Sequence, residues 1–335
     1  EIGEESNVWP GAVIRGDFGK ITIGRNTSVE DNCVIHSGTP SAPVGDVFIG
    51  DRVIIGHGAE QVRQAIGEQA EFALQAEQLG TAHALSMAAP FLQGETGLVL
   101  VVTGDMPLLT SETLSRLVTA QQEGNSIFTM LTVVHEDPHG FGRVLRGEDG
   151  SVRAIVEEAQ ASPEILAIRE LNAGVYVFEG AWLWDALTKI PLSPKGEYYL
   201  TDIVAVAVEQ GHKVRAIQLE DAQEALGINT RVHLAEVETV MRQRINRAWM
   251  LAGVSLVDPQ TTYIDCDVRI APETRLHPGV CLRGNTVIES GCEIGPFALI
   301  EDSHIPAGSR IGPYSHLRGG VLIPPGAEEK VESRG

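Results

Sequence analysis

Aromatic side chains make up only 5% of this 335-residue chain, and no purely apolar run in it is longer than six residues. A membrane-spanning helix needs roughly 20 apolar residues, so no membrane span is expected. The first residues, Glu1-Ile2-Gly3-Glu4-Glu5, lack the basic and apolar segments of a secretory leader, and a cytoplasmic location is expected. Basic residues are also in deficit: 25 Lys and Arg stand against 45 Asp and Glu, a net charge of −20. A surface of that sign repels polyphosphate backbones, which excludes nucleic acid as a main partner. The four cysteines, Cys33, Cys266, Cys281 and Cys292, show no C-x-x-C spacing. Neither a disulfide framework nor a zinc ribbon is indicated, and each reads as a small buried hydrophobe.

Glycine, in contrast, is abundant, with 36 residues. Aliphatic residues recur at every sixth position at Ile264, Ile270, Leu276, Leu282, Ile288, Ile294 and Ile300, and after a one-residue slip at Ile305, Ile311, Leu317 and Ile323. Turn formers and small residues fill the gaps, as in Glu289-Ser290-Gly291-Cys292 and Ile311-Gly312-Pro313-Tyr314. Each hexad therefore supplies one short strand and one corner, the pattern of a left-handed parallel β-helix whose inward aliphatics stack into a continuous core. The same period joins Ile23, Val29 and Ile35, and again Ile49 and Ile55, so a short β-helix is expected at the N-terminus as well.

Between these ends the sequence changes character. A short helical stretch at 60–67 precedes strand-length apolar runs at 98–102, 128–134 and 175–178, which alternate with helical patterns at 111–123 and 201–210. Alternation of this kind implies an α/β domain with a mainly parallel sheet. Residues 231–250 contain no proline or glycine and read as one long helix. The expected organisation is a β-helix fragment at 1–59, an α/β domain at 60–230, a linker helix at 231–252 and a β-helix at 253–335.

Ligands of open α/β sheets bind beyond the carboxyl ends of the strands. There the sequence places Thr103-Gly104-Asp105-Met106-Pro107, with an acid suited to hold a metal or to cap a turn. A second cluster, Gln75-Ala76-Glu77-Gln78-Leu79-Gly80-Thr81-Ala82-His83-Ala84, puts two amides before a helix, where they can read a base edge or close a turn. Further polar clusters are Gly140-Phe141-Gly142-Arg143, Val156-Glu157-Glu158, Leu171-Asn172-Ala173-Gly174, Gly196-Glu197-Tyr198-Tyr199-Leu200-Thr201-Asp202 and Gly227-Ile228-Asn229.

In order and spacing, these clusters resemble the bifunctional N-acetylglucosamine-1-phosphate uridyltransferase/glucosamine-1-phosphate acetyltransferase family of bacterial cell-wall precursor synthesis, over residues 56 to about 318. The resemblance implies an incomplete Rossmann-like nucleotidyltransferase domain and a reaction of UTP with N-acetylglucosamine 1-phosphate that forms UDP-N-acetylglucosamine and pyrophosphate. It implies that Gln75, Gln78, Gly80 and Thr81 read uracil. Asp105 and Asn229 would be the protein ligands of Mg²⁺, and Gly142, Glu157, Asn172, Tyr199 and Thr201 would hold the sugar phosphate. Arg318, within Tyr314-Ser315-His316-Leu317-Arg318, matches a sugar-nucleotide contact of the acetyltransferase half. A homotrimer is implied too. Acetyl transfer is expected to be absent, because the sequence stops at Gly335 before the catalytic histidine of that half.

Where that family opens with a strand and a glycine-rich phosphate loop, residues 1–59 carry Val13-Ile14-Arg15-Gly16-Asp17, Asp31-Asn32-Cys33-Val34-Ile35-His36 and Ile55-Gly56-His57-Gly58-Ala59. This segment resembles γ-class carbonic anhydrases, in which three histidines hold zinc. His36 and His57 match two of them, and Val62 stands at the third. The two resemblances meet at Gly56-His57-Gly58-Ala59, as at a join of two genes. Beside the uridylyltransferase reading stand two alternatives: a catalytically inactive, sugar-nucleotide-binding trimeric scaffold, and a zinc protein built on His36 and His57.

Overall fold

The computed structural model describes residues 71–94, 97–135, 138 and 140–323, together with seven short strands before residue 56. It divides into two compact units, residues 1–229 and 230–335.

In the first unit, the early strands are β1 (Asn7–Val8), β2 (Val13–Arg15), β3 (Ile21–Ile23), β4 (Ser28–Val29), β5 (Val34–His36), β6 (Val47–Ile49) and β7 (Arg52–Ile55). They form parallel pairs β1–β4, β2–β5 and β3–β6. β7 pairs in parallel with β8 (Glu71–Leu74), a strand directly before Gln75 that the apolar pattern did not announce. The helix expected at 60–67, with the junction at 56–59, lies outside the described residues.

The central sheet has six strands: β9 (Leu98–Val101), β10 (Phe128–Val134), β11 (Arg143–Arg146), β12 (Val152–Val156), β13 (Glu170–Glu179) and β14 (Val214–Gln218). β9, β10, β11 and β14 run in one direction, so most strands agree in sense. β13 runs against them and pairs antiparallel with β9, β10 and β11, whereas β10 and β14 pair in parallel. Side-chain alternation explains why the sheet is covered on both sides. Phe128, Met130, Tyr176 and Phe178 point into one apolar layer, with Leu183, Ile203 and Val204. Leu131, Val133, Val175 and Val177 point into the other, with Leu109 and Leu117.

The helices follow the sequence closely. After the short α1 (Thr81–Ser86) and α2 (Ala89–Leu92), α3 spans Ser111–Glu123, the range its apolar spacing predicts. Its cap is Thr110, whose Oγ1 accepts the Thr113 N–H at 3.2 Å. Beyond α4 (Pro163–Leu166) and α5 (Gly180–Leu187), the helical pattern at 201–210 resolves into a 3₁₀ turn at Leu200–Asp202 and α6 (Ile203–Glu209).

The second unit opens with α7 (Arg231–Leu251), capped by Thr230 Oγ1, which accepts the His233 N–H. It leads into a parallel β-solenoid of about four turns, consistent with a left-handed β-helix. Its strands are β15 (Ser255–Leu256), β16 (Tyr263–Ile264), β17 (Arg269–Ile270), β18 (Arg275–Leu276), β19 (Cys281–Arg283), β20 (Val287–Ile288), β21 (Glu293–Ile294), β22 (Leu299–Glu301), β23 (His304–Ile305), β24 (Arg310–Ile311), β25 (His316–Arg318) and β26 (Val321–Ile323). Every third strand pairs: Ile264, Leu282, Ile300 and Leu317 form one ladder, and Ile270, Ile288 and Ile305 another. Two residues before each aliphatic from Ile264 to Ile305 sits a small, buried one: Thr262, Val268, Thr274, Val280, Thr286, Cys292, Ala298 and Ser303. The polar members stay buried because their hydroxyls bond carbonyls freed at the corners, as Thr286 Oγ1 does to Arg283 at 2.6 Å. Cys292 fills such a corner, and Cys266, Cys281 and Cys292 are not in disulfide bonds.

The last expected hexad behaves differently. At residues 321–323 the backbone does not continue to the next face. Gly319 and Gly320, with φ of 56° and 79°, turn the chain back so that β26 pairs antiparallel with β25. Two consecutive positive φ values make the two-residue hairpin turn that glycine pairs favour. At the other end of the coil, Asn246 of α7 is 1% exposed, and its Nδ2 donates to the carbonyls of Pro259 (2.7 Å) and Thr262 (2.9 Å). That bond pins the helix over the first turn of the solenoid.

Ile294 is fully buried in this stack. Its replacement by alanine is expected to lower the stability of the second unit by about 2–5 kcal/mol, read from the midpoint of denaturant unfolding followed by circular dichroism.

Candidate functional site

The chain after β9 leaves the sheet and reaches Asp105 four residues on, at the carboxyl end of the strand. Its backbone carbonyl accepts the N–H of Ile228 at 2.8 Å, which brings together two loops far apart in sequence. Gly227 lies between them. A Cβ built there would stand 3.6 Å from Asp105 Oδ2 and 3.9 Å from Asn229 Nδ2, so the two side chains converge on one point. Both residues are exposed.

Glu224 locks this junction from below. It is 6% exposed, and its carboxylate accepts from the Thr110 N–H (3.0 Å), Thr110 Oγ1 (3.2 Å) and Thr113 Oγ1 (3.0 Å). Three donors, set at the positive end of α3, stand in for the water that burial removes. Nothing local in the sequence marks Glu224, whose partners lie 114 and 111 residues away.

A second cluster forms where β11, β12 and β13 meet. A Cβ on Gly142 would lie 2.7 Å from Ile155 Cγ2, closer than packing allows, and 3.7 Å from Glu157 Oε1, so the glycine lets the chain pass Ile155 while facing that carboxylate. Thr201 Oγ1 donates to Glu157 Oε1 at 2.8 Å. The Asn172 N–H donates to the Gly142 carbonyl at 2.9 Å, and Asn172 Nδ2 donates to the Tyr176 hydroxyl at 2.8 Å. Gly142, Glu157, Asn172 and Thr201 are thus brought together, with Tyr199 two residues earlier in the Thr201 turn. Tyr176, which the sequence did not single out, and Asp202, which it placed in a polar stretch without a role, belong to this cluster. Burial pushes the Tyr176 phenol well above its ordinary range. Burial, and then the neighbouring Glu157 charge, push the Asp202 carboxyl up.

The third cluster is the Gln75–Thr81 segment. Gly80 takes φ 96°, and a Cβ there would sit 2.5 Å from the Tyr198 carbonyl. That close approach lets Tyr198 bond on both sides, its N–H to the Leu79 carbonyl (2.7 Å) and its carbonyl to the Ala82 N–H (3.0 Å). Thr81 Oγ1 accepts the Leu200 N–H at 3.1 Å. The amide-bearing segment and the Tyr199–Thr201 turn are therefore stitched to each other. Gln75 is buried and Gln78 is exposed.

Arg318 lies in the second unit. Its Nε stands 3.4 Å from Glu301 Oε2, one coil below. The side chain of His36, and the whole of His57 and Val62, lie outside the described residues. Among the described residues no group of three or more His, Cys, Asp and Glu side chains is arranged to hold a metal ion, and no helix is long and apolar enough to cross a membrane.

A family model described as nucleotidyl transferase matches residues 55–253. Among curated proteins, the chain is 44% identical over 296 residues to the bifunctional protein GlmU of Exiguobacterium sibiricum, covering 83% of this chain and 66% of that protein. It is 42% identical to the bifunctional protein GlmU of Brevibacillus brevis, over 83% and 64% of the two chains, and 42% identical to that of Bacillus velezensis, over 79% and 62%. The chain thus spans just under two thirds of the length of these relatives.

Two outcomes follow from the buried acids. Glu224→Ala strands a backbone N–H and two hydroxyls, and is expected to lower the unfolding free energy of the first unit by about 1–3 kcal/mol in denaturant titration. For Asp202, the folded carboxyl titrates above its unfolded value. Its ionisation costs stability as pH rises from the ordinary carboxylate value through the raised one, and the cost is complete above that window. Asp202→Asn should therefore unfold at a higher temperature than the parent at pH 7, with the difference closing as the pH falls below about 4. A difference that widens on acidification would refute that account.

Proposed function

Because the chain belongs to the nucleotidyl transferase family, we propose that it is a uridylyltransferase that joins UTP and N-acetylglucosamine 1-phosphate into UDP-N-acetylglucosamine with release of pyrophosphate. The observation that carries this reading is the convergence of Asp105 and Asn229 on Gly227, supported by two polar segments of the same unit that are bonded to one another through Tyr198. Similarity to the GlmU proteins supports the choice of substrates.

The division of labour follows from chemistry. Gln75, Gln78, Gly80 and Thr81 face the uracil, while Gly142, Glu157, Asn172, Tyr199 and Thr201 seat the sugar phosphate. With Tyr198 bonded to both segments, the two substrates lie at a constrained distance, and a phosphate oxygen of the sugar is aimed at the α-phosphorus of UTP. Attack forms the new P–O bond as the bond to pyrophosphate breaks. Such a transfer needs alignment and charge compensation rather than a covalent nucleophile.

One carboxylate and one amide oxygen on two facing loops suit Mg²⁺, which commonly takes one or two protein oxygens and fills its remaining positions with water and phosphate. Asp105 and Asn229 would hold it. When bound, the ion neutralises charge that develops on the phosphates. The Ile228 N–H to Asp105 carbonyl bond and the Glu224 carboxylate keep the two ligands facing each other. A homotrimer assembled through the C-terminal coils is part of the same reading.

The test is Mg²⁺-dependent release of pyrophosphate from UTP and N-acetylglucosamine 1-phosphate. Release is expected from the parent chain, with kcat/KM reduced by about 10²-fold or more in Asp105→Asn. A folded protein that binds UDP-N-acetylglucosamine but releases nothing would favour the inactive scaffold instead.

A further inference from the structure

Gln75 is 8% exposed, so its amide can face neighbours in only one productive way. Nε2 lies 3.1 Å from the Gly80 carbonyl oxygen, which can only accept. That contact identifies the atom as the nitrogen, whichever tautomer its other neighbour adopts. The second Nε2 hydrogen meets Nδ1 of His83 at 3.0 Å. For this contact to be a bond, Nδ1 must be the bare acceptor and the imidazole must carry its proton on Nε2. Both amide hydrogens are then used inside the protein. Oε1 makes no hydrogen bond among the described residues, and it is not one of the sealed, unpartnered atoms such as Arg143 Nε.

We propose that His83 is a positioning residue that holds the Gln75 amide with Oε1 as its outward, purely accepting group, and that this polarity makes the site select a base bearing a ring N–H over one bearing a ring acceptor at the same place. The inference rests on the uridylyltransferase reading and deepens it. Uracil carries a ring N–H at N3, whereas cytosine carries a lone pair there. With Oε1 facing it, cytosine meets acceptor against acceptor, a mismatch that a buried polar site penalises more heavily than a lost apolar contact. Gln75 alone does not impose this, because a free amide rotates to offer either end. The Gly80 carbonyl blocks one end of the rotation and His83 holds the other. His83 sits in the first turn and a half of α1, and Gly80 at its N-cap, so both constraints come from one rigid element.

The experiment measures binding of UTP and of CTP, each with Mg²⁺, to the full chain by calorimetry, and takes the ratio of the two affinities. The ratio cancels any loss of folded protein. In His83→Leu, which removes the acceptor, the preference for UTP should fall at least tenfold, whereas His83→Asn, whose side-chain oxygen can replace Nδ1, should keep most of it. In parallel, nitrogen NMR of the parent chain should report His83 with Nδ1 bare and Nε2 protonated. A parent that prefers UTP while His83→Leu keeps the full ratio overturns the role of His83 alone, as does an Nδ1-protonated His83. A parent that binds UTP and CTP equally overturns the uridylyltransferase reading together with this one.

Discussion

A strand buried on both faces has no water to turn to, so every backbone N–H and C=O along it must find its partner in the sheet. β13 is that strand. Its ten residues, Glu170–Glu179, hold β10 along one edge and β9 and β11 on the other. Three candidate functional segments hang on this arrangement: β9 runs into Asp105, β11 starts directly after Gly142, and β13 itself carries Asn172 and Tyr176. Because β13 opposes its neighbours in direction, the ends of β9 and β11 that matter are set by a single register. A slip of one residue would invert its faces, moving Tyr176 and Phe178 out of one apolar layer and Val175 and Val177 out of the other.

The loops beyond the strands are secured by a different means. They carry polar groups that cannot all face water, and the structure pairs them across large sequence distances: Ile228 with Asp105, Glu224 with Thr110 and Thr113, Tyr198 with Leu79 and Ala82. In each case a backbone group or helix end that would otherwise lack a partner is met by one from another loop. The acids tolerate burial unequally. Glu224 is compensated by three donors, while Asp202 titrates high because of its partial burial first and the neighbouring Glu157 carboxylate second.

The solenoid solves its satisfaction problem by repetition. Its backbone groups pair coil to coil, its aliphatics stack coil on coil, and small residues two positions earlier make room for the corners. Where a corner frees a carbonyl, a threonine or serine hydroxyl answers it. The repeat ends where two glycines permit a hairpin and the last strand turns back.

Periodicity by itself settled much of this protein. Six-residue spacing identified the coils from Ile264 to Leu317, because a coil contacts only its neighbours and the pattern is therefore local. Apolar spacing marked α3 and α7, whose burial and caps lie within a few residues. Asp105 was legible as an acid at a strand end, and the order of the polar clusters carried the family. What the spacing could not supply was direction and partnership. The reversed β13, the strand before Gln75, the turning back of Ile323, the three donors around Glu224 and the polarity of the Gln75 amide each depend on groups that meet only once the chain is folded. A hydrogen bond between residues 114 apart leaves no periodic trace, since its energy depends on where two loops arrive and not on the residues beside either one.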